Sequence, residues 1–310
     1  MKKTIIAVII IVLIAVGIYA FSRGSSNSIN NNPSADNVVN QDTDNNGDVS
    51  MDDQNDVDDT PVDKTKTVIG KSVDGNDITA YHYGSGEKEI LFVAGVHAGY
   101  DWNTVLVARE LMNYLKTDET VIPANLKVTV IPVLNPDGLK KVVGTTGDFT
   151  KTNVSSVSSV VEAGRFNGNT VDINRNFDCD WQENAKWQSK TVSGGTSVFS
   201  EPESLAVKKY VETNKPTAVV SWYSAAGGVY ASSCHNSVST ETNALTQKFA
   251  DASGYPAYQS FDFYATTGDM VNWFAKINIP AISVLLTNHT DTEWTKNKAG
   301  VDAVLKYYSK

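Results

Sequence analysis

The chain has 310 residues, 41% of them hydrophobic and 20% charged, enough apolar material for one substantial core. Its 35 acidic and 26 basic side chains give a formal net charge of -9, but ten aspartates lie between Asp36 and Asp63 with no Lys, Arg or Glu among them. The chain beyond them is near neutral and offers no basic face for nucleic acid. Two cysteines, Cys179 and Cys234, are too few for a disulfide scaffold. A single bridge and two buried free thiols both fit them.

Thr4 to Phe21 is an uncharged run dominated by Ile, Val, Leu and Ala. A helix needs roughly 20 residues to cross the hydrocarbon layer, so the run predicts a short membrane-spanning helix. Lys2, Lys3 and the amino terminus on one side, against Arg23 on the other, predict a cytoplasmic start and export of the remaining chain. A cleaved signal peptide is the rival reading, but Tyr19-Ala20-Phe21-Ser22 is a poor small-x-small cleavage site. Residues 1–23 therefore read as an uncleaved anchor. Residues 24–63, mostly Asn, Asp and Ser, cannot bury enough apolar surface to offset ordering, and are predicted to be a disordered acidic linker. Within it Asp42, Asp44, Asn46, Gly47, Asp48, Ser50 and Asp53 follow the spacing of an EF-hand-like calcium loop. The twelfth position is Asp rather than Glu and the flanks are not amphipathic, so 42–53 is expected to be solvated linker and not a calcium site.

Residues 64–310 read as one α/β domain. Ile78–Tyr83 and Glu89–Val93 are predicted strands, and Thr104–Tyr114 a helix with an apolar stripe and Asn103 as N-cap. Leu126–Val133 is a strand that runs into the turn formers Leu134-Asn135-Pro136-Asp137-Gly138, and Gly138 to Val171 is a long surface excursion. Glu201–Glu212 is helical, with Ser200 as N-cap and Glu203 at the capping-box position. Ala218–Trp222 is a strand, Thr240–Ala252 a helix, Gly268–Ala275 a short helix, Ile279–Leu286 a strand and Asn297–Tyr308 a closing helix. Apolar strands alternating with helices predict a central mixed, largely parallel sheet with helices on both faces. His97, Asn135, Tyr223 and Asn288 all lie just past strand ends, where ligands gather in such folds.

Two polar constellations carry chemistry. His97 and Asp101, in Gly95-Val96-His97-Ala98-Gly99-Tyr100-Asp101-Trp102, are possible zinc ligands or a plain hydrogen-bonded pair. Arg175, in Val171-Asp172-Ile173-Asn174-Arg175-Asn176-Phe177, is a candidate carboxylate clamp or the partner of Asp172 or Asp178 in an internal salt bridge. Taken together with Asn135-Pro136-Asp137-Gly138, Phe199-Ser200-Glu201-Pro202-Glu203, Tyr264-Ala265-Thr266-Thr267-Gly268 and Trp273, these segments make the chain, from about Thr67 to Tyr307, resemble the zinc carboxypeptidase family, specifically its bacterial exported branch.

The resemblance implies a zinc site at His97, Asp101 and Tyr223, but Asp101 stands where a glutamate is usual, one residue late, and Tyr223 where a histidine is expected. It implies a general base at Leu285, which a hydrocarbon cannot supply. Asn174 and Arg175 resemble the pair that grips a peptide's free C-terminal carboxylate, Arg165 the arginine that polarises the scissile carbonyl, and Tyr264 the mobile tyrosine that closes over substrate. Val271 falls near the specificity position, with Asp269 and Asp291 close by. The expectation is a membrane-anchored, extracytoplasmic domain that recognises peptide C-termini, including peptidoglycan stem peptides, with zinc weakened or absent and hydrolysis lost or much reduced. The alternative is an active metallocarboxypeptidase that recruits His289, Asp291 or Glu293. Export and the family's site layout together imply a disulfide between Cys179 and Cys234.

Overall fold

Strand residues that alternate between two apolar faces set the architecture. In the computed structural model, which describes residues 65–310, an eight-stranded sheet is built from β1 (Lys66–Lys71), β2 (Asp77–Tyr83), β3 (Lys88–Val93), β4 (Leu126–Ile131), β7 (Ala218–Ser224), β8 (Gly228–Ala231), β9 (Ala257–Tyr258) and β10 (Ala281–Leu286). Its spatial order is β1-β2-β4-β3-β7-β10-β8-β9. The centre is parallel, β4 to β3 to β7 to β10, while β2 on β4, β1 on β2 and β8 on β10 are antiparallel. A separate hairpin pairs β5 (Asn184–Trp187) with β6 (Lys190–Ser193). The expected anchor at 1–23, the linker at 24–63 and the 42–53 loop lie outside the described residues. Among the described residues no helix is long and apolar enough to cross a membrane.

Ile90, Phe92, Val220, Trp222, Ile282, Val284 and Leu286 face one layer. It is covered by α1 (Trp102–Thr117), α5 (Thr240–Ser253) and α7 (Trp294–Tyr308) through Leu111, Leu115, Leu245, Phe249, Val301 and Leu305. The alternate residues Leu91, Val93, Val219, Tyr223, Ala281 and Leu285 face α4 (Pro202–Asn214) and α6 (Met270–Lys276) through Val207, Tyr210, Met270 and Phe274. The period of two thus puts a hydrophobic layer on each side, as a buried sheet requires. Tyr223 and Leu285 fall on the second face.

Several local expectations change. Asn135-Pro136 opens α2 (Pro136–Val143) instead of a turn: Asn135 Oδ1 accepts from the Gly138 amide at 2.9 Å, Pro occupies the first helical position and Gly144 ends the helix with positive φ. A further turn of helix, α3 (Ser158–Ala163), lies inside the 138–171 excursion. Helix α1 starts at Trp102, ahead of Asn103, whose side-chain amide instead donates to the carbonyls of Asn288 (2.8 Å) and Asp291 (3.0 Å). Glu201, not Ser200, sits at the cap of α4. Glu203 is drawn away from the capping box by the Val73 amide and the Asn167 side chain.

Cys179 and Cys234 are joined, with Cα atoms 6.0 Å apart and a separation of 55 positions in sequence. Closing a loop of that size restricts the unfolded chain. Replacing both cysteines by serine is expected to lower stability by roughly 2–4 kcal/mol, read as a shift in the urea midpoint that reductant reproduces in the wild type. No shift under either treatment would mean that the bridge constrains nothing.

Candidate functional site

The site grows from the loop after β3. The Asp101 amide donates to the His97 carbonyl at 2.7 Å, a tight turn that brings both side chains to one side. Asp101 occupies the N-cap position of α1, yet its side chain makes no cap bond. Three glycines let the next segments approach: a Cβ on Gly99 would lie 2.2 Å from the Gly138 carbonyl oxygen and 2.7 Å from Gly164 Cα. This crossing brings Arg165, the residue after Gly164, up against the His97 loop, and Asn135 Nδ2 holds the Arg165 carbonyl at 3.2 Å.

Asp172 is the hub. It is fully buried, and its Oδ2 accepts from Arg165 Nε at 2.9 Å and lies 2.7 Å from Nη2. Its Oδ1 lies 3.0 Å from His97 Nε2 and accepts from the Asn174 amide at 3.1 Å. His97 Nδ1 turns to Asp101 Oδ2 at 3.2 Å, with Arg165 Nη1 3.3 Å away. On the far side of Asp101, His289 Nδ1 stands 3.1 Å from Oδ1. Burial pushes the Asp172 carboxyl up, but Arg165, His97 and Arg175 outweigh it and hold it well below the usual carboxylate range. Asp101 behaves alike: burial raises it, and the two imidazoles, His289 first, bring it below its ordinary value.

Tyr223 and Leu285 are register partners at the ends of β7 and β10, and both line a cavity of about 750 Å³. His97, Asp101, Arg165, Tyr264 and His289 line it too, with a wall of Tyr100, Trp187, Phe261 and Phe263. The Tyr223 hydroxyl donates to Asn174 Oδ1 at 3.1 Å. Burial, reinforced by Asp269, pushes this phenol far above its ordinary pKa. Leu285 presents hydrocarbon to the same cavity.

Asn174 is fully engaged: its Oδ1 also accepts from the Met270 amide at 3.1 Å, and its Nδ2 donates to Asp269 Oδ2 at 2.7 Å. Asp269 caps α6 through Asn272 N, and its carboxyl is pushed up by burial. Asp269 and Val271 line an adjoining pocket of about 180 Å³ that shares Phe261, Thr266 and Ser283 with the main cavity. Gly268 makes this junction possible: its φ is +68° and a Cβ there would lie 2.1 Å from the Arg175 carbonyl oxygen.

Arg175 is 1% exposed. Its Nε donates to the Lys186 carbonyl at 2.9 Å and its Nη1 to the Asn174 carbonyl at 2.6 Å. The guanidinium carbon lies 5.9 Å from the centre of the Tyr264 ring, which lines the cavity while Arg175 does not. Neither suggested internal salt bridge forms. Asp172 pairs with Arg165, Asp178 pairs with Lys276 at 2.7 Å, and among the described residues no carboxylate lies within ion-pair distance of Arg175.

The candidates therefore assemble in two groups, His97, Asp101, Arg165, Tyr223, Tyr264 and Leu285 at the cavity, and Asn174, Arg175 and Asp269 beside it, Asn174 bonded to Tyr223 and Asp269 and Arg175 near the Tyr264 ring. Of His289, Asp291 and Glu293, His289 reaches the cavity, while Asp291 accepts from Asn288 and Glu293 from the Thr287 amide and Lys296. Sequence reasoning missed Trp187, whose ring lies 4.5 Å from the Arg165 guanidinium carbon. It sits on a hairpin that turns at Gln188-Ser189, with φ +53° at Gln188, a pair that carries none of the usual Asn-Gly signal.

The sequence profile of the zinc carboxypeptidases matches residues 57–299. No curated protein matches the chain. Among solved structures, the murein-tripeptide amidase of Escherichia coli O157 is 19% identical with a TM-score of 0.54, the match covering 77% of this chain and 90% of that one. Carboxypeptidase A of Helicoverpa armigera is 18% identical with a TM-score of 0.59, covering 79% and 67%. Bovine thrombin-activatable fibrinolysis inhibitor is 16% identical with a TM-score of 0.57, covering 79% and 88%. At these identities the structures speak to the fold.

Proposed function

The chain belongs to the zinc carboxypeptidase family, and we propose that its domain recognises the free C-terminal carboxylate of peptides, with hydrolysis lost or much reduced. Arg175 carries the reading. Among the described residues no carboxylate touches this buried guanidinium, and Asp172 and Asp269 act on it only at longer range, while a terminal carboxylate is the planar, two-oxygen anion that its fork fits. Tyr264 covers Arg175 on the cavity side, so entry of the carboxylate requires that ring to turn aside. Asn174 joins the grip once its amide leaves Asp269. The small pocket at Asp269 and Val271 then takes the terminal side chain.

Two positions argue against turnover. Tyr223 stands where the family pattern calls for a zinc-binding histidine, and the set His97, Asp101 and Tyr223 does not fit the metal. The phenol is a donor to Asn174 and is held protonated by burial. Leu285 stands where the pattern calls for a glutamate base, and general acid–base groups contribute roughly 10²–10⁴-fold. The short membrane anchor and acidic linker expected before the domain belong to a bacterial exported protein. There, peptidoglycan stem peptides and extracellular peptides are the ligands within reach. The murein substrate of one structural relative makes stem peptides the first to try.

The test compares a stem peptide ending in a free acid with the same peptide as its C-terminal amide, by calorimetry on the full-length protein. The acid is expected to bind at least about tenfold tighter, with no released amino acid after prolonged incubation. Equal affinities, or steady release of the terminal residue, would overturn the reading. One observation favours the alternative of a live metallopeptidase: His289 stands beside Asp101.

A further inference from the structure

We propose that Cys179 and Cys234 are positioning residues for ligand recognition: their disulfide keeps the turn that carries Asn174 and Arg175 in register with the wall of the small pocket, and thereby sets the preference for a free carboxylate. This rests on the reading of Arg175 as a carboxylate grip and adds what holds the grip in place. The bridge closes a circuit of contacts. Ser233, next to Cys234, donates its amide to Asn272 Oδ1 at 3.1 Å. The Asn272 amide donates to Asp269 Oδ1 at 3.0 Å, and Asp269 Oδ2 accepts from Asn174 Nδ2 at 2.7 Å. From Asn174 the chain runs through Arg175 to Cys179 and back across the disulfide to Cys234. A crosspiece spans the circuit: the Gly268 amide donates to the Cys179 carbonyl at 2.6 Å, and the Gly268 carbonyl accepts from the Phe177 amide at 3.0 Å.

The circuit encloses what a peptide end would use. Ser233, Asp269 and Asn272 all line the pocket of about 180 Å³. Arg175 is fixed at two points: Gly268 packs on its carbonyl with no room for a Cβ, and its Nε donates to the Lys186 carbonyl. Gly268 is in turn set by Cys179. Cys234 lies on the connection from β8 to α5, where His235, Asn236 and Ser237 are exposed. A connection with few buried contacts opens locally at low cost, so the hydrogen bond at Ser233 alone would hold it poorly. The two half-cystines are buried, at 3% and 6% exposure. Beside them His235 Nε2 and Asp180 Oδ1 pair at 2.8 Å across the same gap. Both partners of that pair are exposed, and exposed ion pairs hold little.

A ligand that meets a preformed site is spared the cost of ordering it. Without the bridge, the turn at 174–179 and the wall at 268–272 are free to separate, and only part of the population presents Arg175 and the small pocket together. Apparent affinity falls in proportion to that part, so a competent fraction of about one in ten weakens binding about tenfold. A peptide acid, whose carboxylate meets the guanidinium, bears this loss in full. The corresponding amide brings no charge to Arg175 and loses less. The ratio of the two affinities is therefore the signature of positioning, whereas a bridge that only adds stability leaves the ratio alone.

The test uses the full-length protein, the stem-peptide acid and its C-terminal amide. Both cysteines are replaced together, by serine in one variant and by alanine in another, and reduced wild type in excess dithiol gives the same comparison without substitution. Leu111→Ala, in the core layer under α1, lowers stability with the bridge intact. At a temperature where melts show each protein folded, the bridge-free forms are expected to bind the acid about tenfold more weakly and to lose most of the preference for acid over amide. Leu111→Ala is expected to keep that preference. Hydrogen exchange without ligand supplies a second reading: relative to the centre of the sheet, segments 174–180 and 266–272 exchange faster in the bridge-free forms than in Leu111→Ala. An undiminished preference in the bridge-free forms, an equal loss in Leu111→Ala, or exchange that rises evenly over the domain would each overturn the proposal. So would failure of all three bridge-free forms to fold, since the bridge would then serve the fold itself. A wild type with no preference for the acid removes the Arg175 reading instead, and the exchange comparison still reads the bridge.

Discussion

Replacing Arg175 by alanine weakens binding of a peptide with a free C-terminal carboxylate by roughly 30-fold or more, because truncating one member of a buried, hydrogen-bonded charge pair costs roughly 2–5 kcal/mol. The peptide amide loses little, since it brings no charge to the guanidinium. The two effects should not add: the variant binds acid and amide alike. Arg175 also holds the carbonyls of Lys186 and Asn174, so a stability measurement accompanies the titration. Arg175→Lys keeps the charge without the planar fork and is expected to fall between the two. Equal binding of the acid by wild type and Arg175→Ala, in a variant that still melts cooperatively, would remove the recognition site.

Replacing Asp172 by alanine destabilises the domain by about 3–5 kcal/mol. Asp172 faces Arg165 through two nitrogens and His97 through one, all of them buried. Its removal strands a guanidinium and an imidazole away from water, and the penalty is the cost of those orphaned groups more than the worth of the pair. Asp172→Asn retains an acceptor and loses the charge, so its loss is expected to be smaller. Chemical denaturation of the three proteins measures the order. A loss under about 1 kcal/mol for Asp172→Ala would match a solvent-exposed ion pair and not a buried one, and would mean that water reaches the cluster.

Both results depend on an allocation that spacing along the chain leaves open. Asp172 lies seven residues from Arg165 and three from Arg175, and either pairing is sterically reasonable in an unfolded segment. The turn through Ile173–Arg175 swings the Arg175 side chain toward the β5–β6 hairpin and Tyr264, while the glycine crossing brings Arg165 onto Asp172. Arg165 thereby pairs with Asp172 in direct contact, while Arg175 feels Asp172 and Asp269 only at longer range.

The amino-acid sequence by itself determined the class of the fold, because the apolar runs of β3, β4, β7 and β10 and the stripes of α1, α5 and α7 are periodic and local. It also offered His97, Asp101, Asn174, Arg175 and Tyr264 as candidates, since each lies in a short recognisable segment. It did not determine the helix behind Asn135-Pro136, where a capping signal and a turn signal use the same residues, nor the hairpin at Gln188-Ser189, whose turn lacks a glycine. Only the tertiary structure decided that Asn174 would be tied to Tyr223 and Asp269, and that His289 would meet Asp101 from a distant part of the chain. Such contacts arise when separate segments are packed on one sheet, and no pattern within either segment encodes the distance between them.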